Sequence, residues 1–446
     1  MELSKRLISL DILRGLTIAG MIVVNDPGSW DYVYPPLRHA PWHGITPTDF
    51  VFPFFLFIVG ISVVLAFTRR RQEDADSHQL MNKTIIRSLM IFGFGLFLAV
   101  SSTTLGFKLA QLLVGVLLLY GLTEIQQPLE KGGTRQKKLV LGGVMLAAVV
   151  LFIALNPSFS LPNFRLPGVL QRIAVVFLIC AFLFLRTTWK TQAIIGSLLL
   201  VGYWLLMTLV PVPIDPVVEA ALASGEVLRS SGMVSVEGIE ALSGSYIAGN
   251  LEPGVNLQAW LDRVFIPGRI YEKTWDPEGL LSTLPAIGSG IAGMLAGHMI
   301  LNEDGKEKKA NNLFIYGFCL FVAGSVWNWF FPFNKNLWSS SFVLYTAGLS
   351  TLTFAALYWF VDLKKKGNSN PLFFVGKVFG ANAITAYVLH GLFARLSFPV
   401  RDGFMSSMLN TGIAGEFASL LWATVYTLFI FAIAYVMYRR RLFLKL

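Results

Sequence analysis

Cysteine is nearly absent from this chain. Of 446 residues only Cys180 and Cys319 are cysteines, and both lie inside apolar runs. That excludes a disulfide framework and a cysteine-based metal site. Charge is scarce too: 14% of residues are charged against 54% apolar, too greasy a balance for an ordinary globular protein. No soluble domain and no heptad array is visible. The formal charge of +10 does not point to nucleic acid, because Lys and Arg gather in short clusters beside apolar runs, where they encode topology. No cleavable signal peptide is evident, since the first apolar run contains Asp11, Arg14 and Asn25 and lacks a small-residue cleavage site.

What the chain does have is a succession of apolar runs near the roughly 20 residues that a bilayer-crossing helix needs. A membrane β-barrel would show weak alternation in segments of about ten residues, and these runs are continuous. The sequence therefore predicts an all-α, polytopic transmembrane helical bundle of about 12 spans, over 8–26, 48–68, 84–103, 106–124, 138–156, 167–186, 192–210, 278–301, 311–331, 337–361, 372–395 and 414–438. The third and fourth runs nearly touch, so 10–12 spans are compatible with the pattern. Basic clusters at Lys5/Arg6, Arg69 to Arg71, Lys131 to Lys138, Arg186/Lys190, Lys306 to Lys309, Lys364 to Lys366 and Arg439 to Arg441 fall in alternate connections. They predict both termini in the cytoplasm, with loops 27–47 and 211–277 outside.

The chain reads as a single transmembrane domain over 1–446. Segment 211–277 is its outer loop or lid, with a Ser-, Gly- and Glu-rich middle from Ala223 to Gly249. Its end, Asn256 to Phe265, has amphipathic spacing suited to an interfacial helix. Segment 104–160 reads as an inserted helical hairpin.

An ionisable group at bilayer depth costs about 2.5–3.5 kcal/mol on insertion scales, which makes each one a functional candidate. Asp11, Arg14 and Asn25 share one face of the first span, although Asp11 and Arg14 can equally be a pair snorkelling at the interface. His39 and His43, two of the five histidines, flank Trp42 in a polar loop. A loop imidazole can be simply solvated; at the mouth of a membrane bundle it can also do proton transfer or nucleophilic chemistry near neutral pH. Thr46-Pro47-Thr48-Asp49 has the pattern of a helix cap with an acid at its third position. That role is compatible with Asp49 orienting His39. Arg172 lies inside the sixth span, where ion pairing is the main bland explanation.

Asp276-Pro277-Glu278-Gly279 reads first as a helix start, with Asp at N-cap and Pro at N1. Asn382 and His390 lie eight residues apart on roughly one side of the eleventh span. His78 and His298 look unremarkable. Gly288-Ser289-Gly290-Ile291-Ala292-Gly293 matches a dinucleotide fingerprint by letter, but inside an apolar span close helix packing is the reading to adopt. His39 and His43 lack metal-ligand spacing on a helix face, so no metal is expected.

Taken in order, Ser9 to Leu16, Val24-Asn25, His39 to Pro53, Arg165 to Arg172, Tyr271 with Asp276 to Leu281, Asn334 to Ser339, and Tyr387 to His390 resemble the catalytic domain of the heparan-alpha-glucosaminide N-acetyltransferase family. These are transmembrane acyltransferases with bacterial relatives. The resemblance implies acetyl-CoA as donor, a glucosamine amine at the outer face as acceptor, and His39 at the family's active histidine with Asn25 beside it. Asp49 or His390 would fix the imidazole tautomer, and Arg14 and Arg172 would hold CoA phosphates or line its path. Asp276, Glu278, Asn336 and Trp338 would meet the sugar.

For a bacterial-type relative, a free amino sugar or a cell-wall glycan fragment is the expected acceptor. The expected location is multi-pass in the inner cell membrane, with the lipid bilayer as partner, no nucleic acid, and a homodimer left open. Segment 104–160 is longer than the family leads one to expect. Two rival readings stand: a multi-pass transporter of a small sugar, against which no internal repeat or paired broken helices are found, and an O-acyltransferase of a cell-envelope glycan.

Overall fold

The computed structural model describes residues 7–72, 76–100, 103–126, 134–157, 159–216, 219, 246–247, 249–302, 305–366 and 370–443. Among these, the helices are α1 (Ile8–Asn25), α2 (Val51–Gln72), α3 (Ser77–Ala99), α4 (Leu105–Gln126), α5 (Arg135–Leu155), α6 (Val169–Arg186), α7 (Trp189–Leu209), α8 (Leu257–Phe265), α9 (Thr283–Asn302), α10 (Lys306–Trp327), α11 (Ser340–Leu357), α12 (Pro371–Ala381), α13 (Ala383–Asn410) and α14 (Gly415–Arg439). A two-residue antiparallel pair, Val212–Pro213 with Tyr246–Ile247, is the strand content described. Twelve helices are long and apolar enough to cross a membrane. The protein is all-α and polytopic, as the apolar runs predict.

The eleventh span differs from its sequence reading. It is expected over 372–395, but the chain breaks at Asn382, whose backbone (φ −130°, ψ 43°) separates the short α12 from α13. Asn382 therefore shares no helix side with His390; its side-chain amide donates instead to the carbonyl of Leu442 at 3.0 Å. Beyond the break, α13 runs to Asn410 with Pro399 inside it. The polar residues that appear to end the span at 395 are absorbed by side-chain pairing. Arg395 donates to the Val100 carbonyl at 2.9 Å, to Gln111 Oε1 at 2.6 Å and to the Leu98 carbonyl. These carbonyls belong to the end of α3, where the helix supplies no donors of its own.

The chain folds into two compact units. Among the described residues, the first contains His39–Phe92 and Pro162–Ala356; the second contains 7–38, Gly93–Leu161 and 357–443. In the first unit, α9 lies directly on α2. A Cβ added at Gly60 would collide with the carbonyl oxygen of Gly290, and one at Gly293 with that of Phe57. The fingerprint-like glycines of α9 are thus a seam where two backbones touch. Around the seam pack Leu56, Val64, Val176, Cys180, Ile291 and Met294, all nearly inaccessible. A separate cluster of Trp42, Tyr203, Met207, Val255, Trp275 and Leu337 fastens the 249–277 segment to α7 and to the loop before α2. The middle of the expected lid, 220–245, lies outside the described residues.

In the second unit α1 meets α12 in the same fashion: Gly15 lies against the Gly376 carbonyl, and Gly380 against that of Asp11. Helices α4 and α5 pack on each other as a hairpin.

Candidate active site

The His39 site begins with a helix start. Residues Pro47–Phe50 form a 3₁₀ turn leading into α2, with Asp49 as its third residue. Asp49 Oδ2 accepts from Thr46 N at 3.0 Å, Thr46 Oγ1 at 3.0 Å and Ala40 N at 3.1 Å. The other oxygen, Oδ1, lies 2.7 Å from His39 Nδ1. A buried carboxylate accepts only, so Nδ1 carries the ring proton and Nε2 presents a lone pair. The side chain of Asp49 is 1% exposed and that of His39 38%: a fixed base under an accessible ring.

Lys335 completes the cluster. Its Nζ is 3.2 Å from His39 Nε2 and 3.8 Å from Asp49 Oδ1. With Nδ1 committed to Asp49, the ammonium can donate only to Nε2. Burial holds Lys335 below the ordinary lysine pKa, and the nearby carboxylates of Asp49 and Glu278 oppose that shift. The backbone that carries it is pinned to the histidine loop, since Gly44, at a left-handed φ of 106°, donates to the Phe333 carbonyl at 2.8 Å.

Trp42 fixes the same loop from beneath. Its indole N–H donates to the Leu251 carbonyl at 3.0 Å, and its ring meets Trp275 edge-on at 5.0 Å. His43 is half-buried, 3.4 Å from Asn334 Nδ2 and 3.9 Å from Glu252 Oε1. Burial pushes its pKa down and that of Glu252 up.

Arg165 organises the second polar group. Its backbone pairs with Gly268, and Arg269 N donates to the Phe164 carbonyl at 3.0 Å. The guanidinium grips Asp276 with two bonds, Nε to Oδ2 at 2.8 Å and Nη2 to Oδ1 at 2.7 Å, and reaches Glu278 Oε2 at 2.5 Å. It also stacks over Tyr271, 4.5 Å from the ring centre. Burial alone would lower the Arg165 pKa; Asp276 and Glu278 outweigh it and raise it.

Asp276 is accordingly not a helix cap. Its carboxylate is taken by Arg165, by Glu278 N at 2.9 Å and by Tyr271 N at 3.2 Å, and α9 starts later, at Thr283. The Asp-Pro pattern marks a turn because the acid's partners come from elsewhere in the chain.

Asp262, on α8, supports that turn. It is 0% exposed and accepts from Leu280 N at 2.9 Å and Asp276 N at 3.2 Å. Burial pushes its carboxyl up to about 7. A raised acid binds its proton more tightly in the folded chain. Its stabilising contribution is complete below the ordinary value of 3.8 and is lost as pH rises through about 7. Asp262→Asn is expected to remove this component: between pH 4 and pH 7, thermal unfolding of the variant should lose less stability than that of the parent protein.

Arg172 is buried in α6. It donates to the Gly279 carbonyl at 3.2 Å and to Ser282 Oγ at 2.6 Å, and lies 5.2 Å from the centre of the Trp338 ring. Its Nε and Nη1 have no hydrogen-bond partner. Trp338 takes a left-handed backbone (φ 53°), which costs a bulky residue about 1–3 kcal/mol. Its buried indole donates to Ser289 Oγ at 3.1 Å, and this bond with the arginine contact holds the ring in place. Asn336 uses its carbonyl to accept from Gln258 Nε2 at 3.1 Å.

The remaining expected residues belong to the second unit. Arg14 is paired with Asp11 at 3.2 Å. Asn25 is the exposed last residue of α1, followed by Asp26. His390 is buried on α13, with Nδ1 3.1 Å from the Tyr387 carbonyl; its own carbonyl accepts from Tyr426 OH at 2.5 Å.

Lys335, Arg165 and Asp262 escape the sequence reading as site residues. Lys335 left one signal, as a lysine in a connection otherwise poor in positive charge. The others pair over long sequence separations, which a linear pattern does not disclose.

The family model described as "Heparan-alpha-glucosaminide N-acetyltransferase, catalytic" matches residues 6–164, a stretch that includes Asn25, His39 and Asp49. Two curated relatives extend the match. The heparan-alpha-glucosaminide N-acetyltransferase of Homo sapiens is 26% identical, aligned to 100% of this chain and 60% of its own length. That of Mus musculus is 25% identical over 99% of this chain and 61% of its own. This chain is similar to the heparan-alpha-glucosaminide N-acetyltransferases along its whole length. It spans about three-fifths of the length of these relatives. Arg165, Asp276, Glu278 and Lys335 lie beyond the family-model match and are reached only by the two longer alignments.

Proposed function

We propose that this chain is a membrane-embedded acetyltransferase that moves an acetyl group from acetyl-CoA to the amine of a glucosamine-type sugar. The observation that carries this reading is the His39–Asp49 bond of 2.7 Å, which leaves Nε2 of an accessible ring as the reactive lone pair. In one route Nε2 adds to the thioester carbonyl, the C–S bond breaks, and the CoA thiolate leaves to take up a proton. The sugar amine then attacks the acetyl carbon, the C–N bond to the imidazole breaks, and the amine's proton is released. In the other route Nε2 removes the amine's proton as the amine attacks the thioester carbonyl directly, the C–S bond breaks, and the CoA thiolate leaves and takes up that proton from Nε2. Both routes need the same nitrogen in the same tautomer.

In either route negative charge builds on the thioester oxygen, and the Lys335 ammonium beside Nε2 is positioned to meet it; Asn25 is proposed for that task on the resemblance alone. Arg172, with two unpartnered nitrogens, and Arg14 are assigned to the donor. Asp276, Glu278, Asn336 and Trp338 are assigned to the acceptor, the two acids holding their shape through Arg165. The basic clusters support cytoplasmic termini. CoA then enters from the cytoplasm, transfer occurs near the outer face, and the inner cell membrane houses the chain.

The test is purified protein given labelled acetyl-CoA with a panel of amino sugars and their hydroxyl analogues. Acetyl-CoA-dependent N-acetylation of an amino sugar is expected, identified by product mass. Donor incubated alone, followed by peptide mass analysis, reads the route: acetyl on the His39 peptide marks the covalent one. Flux of sugar without chemistry would replace this reading with a carrier, and acylation of hydroxyls only would replace the acceptor class.

A further inference from the structure

The cluster around His39 already contains a primary amine, and that amine belongs to the protein. Lys335 Nζ lies 3.2 Å from His39 Nε2, within the distance of about 2.6–3.2 Å over which a general base takes a proton. The lysine side chain is 20% exposed, and the turn that carries it is locked. Asn334 Oδ1 accepts from Leu337 N at 2.8 Å, Asn334 N donates to Ser339 Oγ at 3.0 Å, and the Lys335 carbonyl accepts from Trp338 N at 3.2 Å. The amine is thus delivered to the imidazole by a fixed backbone. His39, Asp49, Glu278 and Lys335 all belong to the first unit.

We propose that Lys335 is a site of self-acetylation, modified through His39 when acetyl-CoA is supplied without an acceptor. The inference rests on the acetyltransferase reading for its donor. Nζ is of the same chemical class as the acceptor, and either route serves it. In the covalent route the acetyl carbon is bonded to Nε2 itself, so an amine 3.2 Å from that nitrogen is within the reach of about 3–3.5 Å that attack requires. In the direct route Nε2 takes a proton from Nζ as Nζ adds to the thioester carbonyl and the C–S bond breaks. The sum is Lys–NH₃⁺ plus thioester giving amide, thiol and H⁺.

Only the neutral amine attacks. The charged and titratable groups facing Nζ are His39, Asp49 and Glu278. Burial lowers the lysine pKa against the pull of the two carboxylates, so the neutral form is more populated than on a solvated lysine, and modification should quicken as pH rises. The product is an uncharged amide. It cannot meet the charge on a thioester oxygen as an ammonium does, and it sets an acetyl group against Nε2. Self-acetylation therefore silences the site: the acceptor protects it, and donor alone turns it off.

The experiment gives full-length protein in nanodiscs isotope-labelled acetyl-CoA, with and without glucosamine, and follows each lysine by peptide mass analysis. Lys273, which is exposed, is the internal reference, since undirected acetylation favours accessible amines. Lys335 should be acetylated at least tenfold faster than Lys273. That excess should vanish in His39→Ala and be suppressed by glucosamine. After removal of free donor, pre-incubated parent protein should turn over glucosamine at least fivefold more slowly than untreated parent. Lys335→Arg, slower from the outset, should show the same rate with and without pre-incubation. If that variant fails to fold, the mass readings on parent and His39→Ala decide.

Lys335 left unmodified, modified no faster than Lys273, or modified equally in His39→Ala overturns the inference; glucosamine acetylation by the same protein keeps the acetyltransferase reading standing. Equal silencing of Lys335→Arg overturns the regulatory role. His39-dependent acetylation of Lys335 in a protein that acetylates no amino sugar upholds the inference and overturns the acceptor of that reading. Acetyl transfer to neither lysine nor sugar overturns both.

Discussion

His39→Ala is expected to lower acetyl transfer by a factor on the order of 10³ or more, the range spanned when a positioned acid–base or nucleophilic group is deleted. The substitution removes the imidazole that Asp49 holds at 2.7 Å, and with it the Nε2 lone pair on which both proposed routes depend. The ring is 38% exposed and packs little core, so folding and monodispersity in detergent should persist. Steady-state kinetics of the variant with saturating donor and acceptor give the measurement; turnover near the parent rate would strike His39 from the chemistry. Asp49→Asn is the instructive companion. An amide in that place can offer an N–H where the ring needs an acceptor, allowing the wrong tautomer. Its kcat should fall while the affinity for donor changes little.

The second large effect concerns Arg165. Replacing it with methionine leaves Asp276, which is 0% exposed, and Glu278, at 10%, without their cation. Breaking one side of a buried ion pair costs about 3–5 kcal/mol, because the remaining charge stays desolvated. The 271–282 turn should loosen, seen as a large drop in unfolding temperature and as protease cleavage between Tyr271 and Thr283. Adding Asp276→Asn to Arg165→Met should recover part of the loss, since one stranded charge is gone. A single variant as stable as the parent would show that the triad contributes no net stability.

Much of the architecture was legible in sequence because membrane burial writes itself as long apolar runs. Twelve spans, the helical end of the 211–277 segment and the packing role of the α9 glycines followed from that signal. The break at Asn382 was not legible: α12 and the start of α13 are equally apolar, and an asparagine within such a run looks like an intramembrane polar residue. The extension of α13 past Arg395 was hidden because its polar residues are satisfied by α3 and α4, partners that a local reading does not see. At the site, His39 and Asp49 lie ten residues apart and were legible together. Lys335 and Arg165 were not, since each is placed against its partners by contacts spanning more than a hundred residues. Asp276 was misplaced for the same reason, its local Asp-Pro pattern overruled by a distant guanidinium.

Asp49 divides its labour between two oxygens, one gathering the chain just ahead of α2 and the other gripping an imidazole. Any drift in the first turn of that helix must therefore swing the ring as well. Below it, α2 is clamped to α9 with no side chain between their backbones. The nitrogen proposed to react is thus mounted on a strut whose close fit comes from the absence of side chains, at glycines further along the helix from the ring it would keep in aim.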